Sequence, residues 1–336
     1  MMAHPASNRC VNMPNQSAFS RGGRALRRLL VGLALTLAVN APAVAWNDFG
    51  HMVVASIAYN ELKKTPTVRA KVETLLKLNP AYSSWVSGVA AADRGEVAFL
   101  MASRWPDAIK RDSHYVNDGK DNGETPVEPI ASRNIGYKDT ARHKYWHYKD
   151  IGFSTDGTAV EPPKVPNIAT TIKRFTATLA SQKASQGLKS YDLVWLIHLV
   201  GDAHQPLHAT SRFTADKPHG DIGGNTISLC AAPCKDELHA FWDGALGRSE
   251  SLSEAREAAL ALPPAGGSAD VLLVDTWLDE SLLEAKSHAY VAPIGADGSG
   301  PFILTDDYRT TAEEVAKKRI ALAGARLAAL IRDALK

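Results

Sequence analysis

From position 46 onward, apolar residues recur mostly at spacings of three and four, and runs that alternate at spacing two are scarce. That period is helical. It predicts helices at about 49–64, capped by Asp48 and striped by Met52, Val53, Ile57 and Leu62, and at 66–78, 167–182, 188–204, 236–246, 252–262 and 269–290. A last helix at 306–335 opens after Thr305-Asp306 and carries Val315, Ile320, Leu322, Leu327, Leu330 and Ile331. Short strands are read at 145–148 and 225–229, and residues 111–144 and 209–235 read as long polar loops of the kind that shape substrate access. The expected fold is all-α: a single mainly helical domain over 46–336, with long loops and at most a short β-hairpin.

Ahead of this region the pattern changes. Residues 1–45 hold five Arg and no acid, then the apolar stretch Leu29 to Val39 and finally Ala43-Val44-Ala45. A basic start, a short apolar core and an A-x-A site predict a signal peptide removed after Ala45. The apolar core is too short for a permanent anchor, so the product is expected to be exported, periplasmic or secreted, with no stable membrane anchor. Of the 38 Lys and Arg, 33 remain after cleavage against 36 Asp and Glu, so the mature chain carries about −3 where the full chain carries +2. A protein that gripped nucleic acid mainly through Lys and Arg would be more basic. Cys10 leaves with the leader, and Cys230 and Cys234 remain, four residues apart. In an oxidising compartment a local disulfide is expected, with a thiolate metal pair as the competing reading.

The chemistry concentrates at residues 195–208, Trp-Leu-Ile-His-Leu-Val-Gly-Asp-Ala-His-Gln-Pro-Leu-His. His198 and Asp202, four apart on an apolar helix, face the same way. Pro206 turns the chain after His204 and brings His208 back toward them. Imidazoles and a carboxylate are costly to bury unless a cation organises them, and Zn(II) takes these ligands. His239 and Asp243 repeat the four-residue spacing and with His208 make a three-ligand set; Asp107 and His147 are the best additions to His198 and Asp202. His51 lies close to Trp46, whose free α-amino group after cleavage could chelate an ion with its own carbonyl. His204 reads as a residue of the surroundings or the helix end, and His114, His143, His219 and His288 as surface residues.

Six segments occur in order: Trp46-Asn-Asp-Phe-Gly-His51, Trp105-Pro-Asp107, Trp146-His147-Tyr148, His198 to His208, Gly223-Gly-Asn225 and Leu238-His239-Ala-Phe-Trp-Asp243. With them the mature chain resembles the S1/P1 family of trinuclear-zinc nucleases, related in fold to zinc-dependent phospholipase C. The resemblance implies three Zn2+ per chain: one held by Asp107, His147, His198 and Asp202, one by Trp46, His51 and the shared Asp202, one by His208, His239 and Asp243. It implies hydrolysis of single-stranded RNA and DNA to 5′-phosphate products and of 3′-nucleotides, by a hydroxide bridging two of the metals. Asp150 resembles the carboxylate that orients the attacking water, Lys110 the cation beside the scissile phosphate, and Tyr148 the aromatic on which a base stacks, with Asn225 in the base pocket. A monomer is expected. Two other functions fit the same ligands: a zinc-dependent phospholipase C, and a noncatalytic exported zinc-binding protein.

Overall fold

A computed structural model describes residues 46–119, 126, 131–295 and 298–336; the expected leader and its cleavage point lie outside or at the edge of them. Eleven helices occur among the described residues: α1 Asp48–Leu62, α2 Pro66–Leu76, α3 Tyr82–Trp85, α4 Arg94–Ala102, α5 Trp105–Ala108, α6 Ile168–Ala180, α7 Gln186–Asp202, α8 Leu238–Asp243, α9 Leu252–Ala261, α10 Val274–Glu284 and α11 Asp306–Ala334. The mainly helical class expected from the periodicity is what the chain forms.

The helix at the centre is α7. Ser185 caps it, accepting from the Leu188 N–H at 3.2 Å, and every residue from Ser190 to Asp202 is buried. A helix apolar on all sides has to be surrounded, and α6, α2 and α11 pack around it. α11 in turn lies along α1, where Gly324 permits the approach: a Cβ there would sit 2.6 Å from the Ile57 side chain and 3.0 Å from the Val54 carbonyl. Trp105, Trp146 and Trp195 meet edge to face in one layer of the core, which also receives the His147 ring, 5.5 Å from Trp195. The residues of the sequence motifs are therefore anchored in packed structure, apart from the loops between them.

Several local expectations are corrected. Asn47, not Asp48, caps α1, its side chain accepting from Gly50 N–H at 3.1 Å, while Asp48 pairs with Arg104. The helix expected over 236–246 is confined to Leu238–Asp243, and that over 269–290 divides into a 3-10 turn at Gly267–Asp270, α10 and a π turn at Ala285–Ala289. Neither expected strand forms. Residues 144–146 make a 3-10 turn because Tyr145 and Trp146 are satisfied by burial in the core, and 225–229 contributes only the bridge of Ser228 to Glu237. Among the described residues the strands are instead β1 Gly152–Ser154 and β2 Ser211–Phe213, and they pair in parallel, not as a hairpin. Cys230 and Cys234 are joined, which leaves no thiolate pair.

His143 is no surface residue. It is buried between two carboxylates, Asp118 at 2.6 Å from Nδ1 and Asp139 at 2.9 Å from Nε2, and stacks on Trp146 at 3.5 Å. Burial disfavours its charged form, but Asp118 and Asp139 outweigh it and raise its pKa. A pKa raised by folding adds stability that is fully present below the unfolded value of about 6.5 and disappears as pH climbs through the folded value. The melting temperature of wild type minus that of His143→Gln should therefore be largest at about pH 6 and shrink by pH 9; a difference flat across that range would contradict the assignment.

Candidate metal centre

Asp202 ends α7 and presents its two oxygens to different neighbours. Oδ1 lies 3.2 Å from His51 Nε2, while Oδ2 lies 2.9 Å from His147 Nδ1 and 3.2 Å from His198 Nε2. The His51 ring stacks on His198 at 3.8 Å, and Asp107 Oδ1 is 3.6 Å from His198 Nε2 and 3.9 Å from His147 Nδ1. Four elements thus deliver these five side chains: α1 carries His51, α5 Asp107, the turn after Trp146 His147, and α7 the last two. His51 reaches its place only because residue 201 is glycine, where a Cβ would stand 3.0 Å from His51 Nδ1.

A second group gathers nearby. After α7 the chain turns through Pro206–Ala209, and His208 Nε2 comes to 3.1 Å from His239 Nε2 of α8, with Asp243 oxygens 3.8 and 3.7 Å from the two rings. The far nitrogens of three imidazoles are tied to backbone carbonyls: His198 Nδ1 donates to Ser103 at 2.7 Å, His208 Nδ1 to His147 at 2.8 Å and His239 Nδ1 to Gly223 at 2.7 Å. Each bond leaves the inward Nε2 as a lone pair, the arrangement a metal ligand needs. Burial holds His147 and His239 neutral, with pKa values pushed down to about 3. Trp46 is fastened between the groups: its indole donates to Gly201 O at 3.0 Å, and the next N–H donates to Asp243 O at 2.9 Å.

These residues fit a cluster of divalent cations. His51 Nδ1, Asp107 Oδ2, His147 Nε2 and Asp243 Oδ2 are buried without a hydrogen-bond partner. Orphaned groups of this kind cost about 1–3 kcal/mol each, and here all are nitrogen or carboxylate donors converging at ligand distances from one another. Lys110 is the cation the chain itself supplies. Its Nζ lies 2.6 Å from Asp107 Oδ1, and its charge acts on His147, His198, His208, His239 and Asp243, so it stands between the two groups.

A cleft of about 380 Å³ has walls that include Tyr148, Lys149, Asp150, Lys164, Phe213 and Ile222. Lys149 N–H donates to His208 O at 2.9 Å, which joins the cleft to the second group. Asp150 faces this cleft. Burial, then the charge of Asp221, pushes its carboxyl up to about 7, opposed by Lys164, and no ligand of the clusters is among its charged neighbours. Asn225 turns its side chain back, donating to Ile222 O at 2.6 Å within its own loop. In that loop Ile222 has φ +56°, rare for a β-branched residue and a strain of about 1–3 kcal/mol.

Three contributors escaped the sequence reading. Gln205 donates to Asp243 Oδ1 at 2.6 Å, Ser103 fixes His198, and Asp221 pins the loop of Gly223. The only sequence signal was a polar residue lodged inside a motif, as Gln205 is between His204 and Pro206. His204 keeps to the surroundings, its Nδ1 donating to Val200 O at 2.7 Å and its Nε2 accepting from Arg326 at 2.9 Å. His114 and His219 are exposed, as expected.

The chain is similar in sequence to known proteins. The S1/P1 nuclease family model matches residues 46–336. Endonuclease 5 of Arabidopsis thaliana is 27% identical over 334 residues, covering 89% of this chain and 93% of that protein. Endonuclease 3 of the same plant is 29% identical over 229 residues, covering 66% of this chain and 61% of its own length. Nuclease S1 of Aspergillus oryzae is 24% identical over 332 residues, covering 90% and 96%. With a match running from Trp46 to the last residue and through every buried His and Asp described above, the chain belongs to the S1/P1 nuclease family and is a hydrolase of phosphodiester bonds in nucleic acids.

Proposed function

We propose that the protein is a zinc-dependent endonuclease of single-stranded RNA and DNA that also removes 3′-phosphates from nucleotides, leaving 5′-phosphate ends. The observation that carries this reading is Asp202, whose two oxygens address separate imidazole groups, with the His208, His239 and Asp243 triad across Lys110. Three ions are assigned: to Asp107, His147, His198 and Asp202; to His51, Asp202 and the amine and carbonyl of Trp46; and to His208, His239 and Asp243. Bound there, zinc supplies Lewis acidity toward the phosphate oxygens and acidifies water. The start of the family match at Trp46 supports removal of residues 1–45, hence export and a free amine at that position.

The chain's own residues do the rest. Lys110, buried between the ligand groups, offsets the charge of the scissile phosphate. Tyr148 lines the cleft and is assigned as the aromatic on which a base stacks, a contact worth about 1–3 kcal/mol and indifferent to base identity. A duplex hides that face, which accounts for a single-strand preference. Asp150 shares the cleft with Tyr148, where a carboxylate can accept hydrogen bonds from a base. No helix among the described residues is long and apolar enough to cross a membrane.

The test uses protein beginning at Trp46, assayed for bound metal and for turnover of single-stranded RNA, single-stranded DNA, duplex DNA, a 3′-nucleotide and phosphatidylcholine. About three zinc per chain are expected, with duplex cleaved at least roughly tenfold more slowly than single strands. A chelator should abolish turnover and zinc restore it. Hydrolysis of phosphatidylcholine with RNA left intact would transfer the assignment to a phospholipase C; zinc bound without any turnover would make the protein a binding module.

A further inference from the structure

The segment between β2 and α8 makes an unusual turn. Ile222, Gly223 and Gly224 have φ of +56°, +60° and +81°, three successive residues in the left-handed region. Glycine adopts it freely, but isoleucine does not. The turn persists because its first residue, Asp221, is fully buried and accepts three hydrogen bonds at one oxygen, from Gly224 N–H at 3.2 Å, Arg212 N–H of β2 at 2.9 Å and Tyr290 OH at 3.1 Å. Its carbonyl accepts from Thr226 N–H and Oγ1 as well, both at 3.3 Å. One side chain thus ties the turn to the two-stranded sheet and to the segment after the π turn.

Two outputs leave this turn. Gly223 O receives the His239 Nδ1–H, and Gly223 is seated so closely that a Cβ would lie 2.4 Å from Leu207 O and 3.2 Å from His239 Nδ1. Ile222 lines the cleft that holds Tyr148 and Asp150. We infer that Asp221 is a positioning residue, whose carboxylate holds Ile222, Gly223 and Gly224 left-handed and so registers the cleft against the cluster of His208, His239 and Asp243. The substrate-side half of this inference rests on the nuclease reading above; the His239 half does not.

The charge of Asp221 adds a signature that mere support of the fold would lack. Arg212 is its cationic neighbour, but Nε stays 3.9 Å from Oδ2 and the Nη groups are engaged by the Gly295 and Gly298 carbonyls. Tyr290 is the other titratable group against it. Its negative charge reaches Asp150, against which Lys164, Tyr148 and Tyr290 also stand. Asp221→Asn keeps an acceptor oxygen for the three donors and removes that charge.

The experiment compares wild type, Asp221→Asn and Asp221→Ala in protein beginning at Trp46, reading zinc per chain and the pH dependence of kcat and KM on a single-stranded oligonucleotide. Asp221→Ala should lose about one equivalent of zinc and raise KM about tenfold. Asp221→Asn should keep the zinc and shift the pH dependence of KM to lower pH because Asp150 ionises more easily. Wild-type zinc and KM in Asp221→Ala, with only its melting temperature lowered, would reduce Asp221 to a folding residue and overturn the inference. If Asp221→Ala does not fold, Asp221→Asn decides: an unmoved KM profile, or loss of zinc as its oxygen acceptor remains, overturns it. If wild type binds zinc but cleaves no nucleic acid, the nuclease reading fails while the zinc content of the variants still judges the His239 half.

Discussion

Asp202→Asn is expected to lower kcat/KM on single-stranded RNA by about 10³-fold or more, the equivalent of roughly 4 kcal/mol of transition-state stabilisation. The carboxylate is fully buried, and its two oxygens divide their contacts between His51 on one side and His147 with His198 on the other. An amide of the same shape keeps one acceptor oxygen and turns N–H groups toward the other side, where imidazole lone pairs converge. The charge that would join two cations is lost with no change in volume, so the fold should persist while zinc per chain falls by at least one equivalent. Kinetics and metal analysis on the same preparation check this. More than a tenth of wild-type activity with undiminished zinc would show that Asp202 does not bridge.

Replacing Arg326 by Ala should remove about 3 kcal/mol of stability, a shift on the order of 10 °C in Tm, and act on the site only through the end of α7. Arg326 is fully buried in α11 and grips Glu280 of α10 with both Nη groups, at 2.7 and 2.8 Å, while Nη1 also donates to His204 Nε2 at 2.9 Å and Nε to Ser268 O at 3.1 Å. Arg319 shares Glu280 at 2.9 Å and donates to the His204 carbonyl at 3.2 Å. Two arginines and one glutamate therefore clamp the residue two past Asp202. Breaking a buried pair costs about 3–5 kcal/mol, and the lower end applies because Glu280 is 30% exposed and can recover water. Lysine should not rescue the loss, since it lacks the planar two-pronged donor. A melting temperature within about 2 °C of wild type would mean that Arg319 alone holds α7 in place.

How much of this was legible depended on whether the cause was local. The periodicity of α1, α2, α6, α7, α9 and α11 showed because each buries one face or all of its faces, and their bounds shift by only a few residues. The strands went wrong for a physical reason. Alternating Tyr145, Trp146, His147 and Tyr148 look like a pleated segment, but their partners are Trp195, Phe175 and the other ligands, none of them in a neighbouring strand. The real strands are three residues each and pair in parallel between positions about sixty apart, too short to carry a pattern.

The same division runs through the site. Ligand chemistry was written locally, as His and Asp four apart on helices and a proline that turns the chain, so the nine candidate ligand residues could be named in order from the residues alone. What surrounds them was not. His143 looked like a loop histidine until folding placed Asp118 and Asp139 against both its nitrogens, and Asp150 lines the same cleft as Tyr148. Asp221, Gln205 and Ser103 act by orienting other groups across separations of up to 95 residues, and a hydrogen bond between distant residues has no period to betray it. Sequence determined the helical class and which residues are candidate donors, because both follow from side-chain type and short-range spacing. Only tertiary structure decided which oxygen faces which imidazole and which pKa values shift, because those depend on burial and on neighbours the chain brings in from far away.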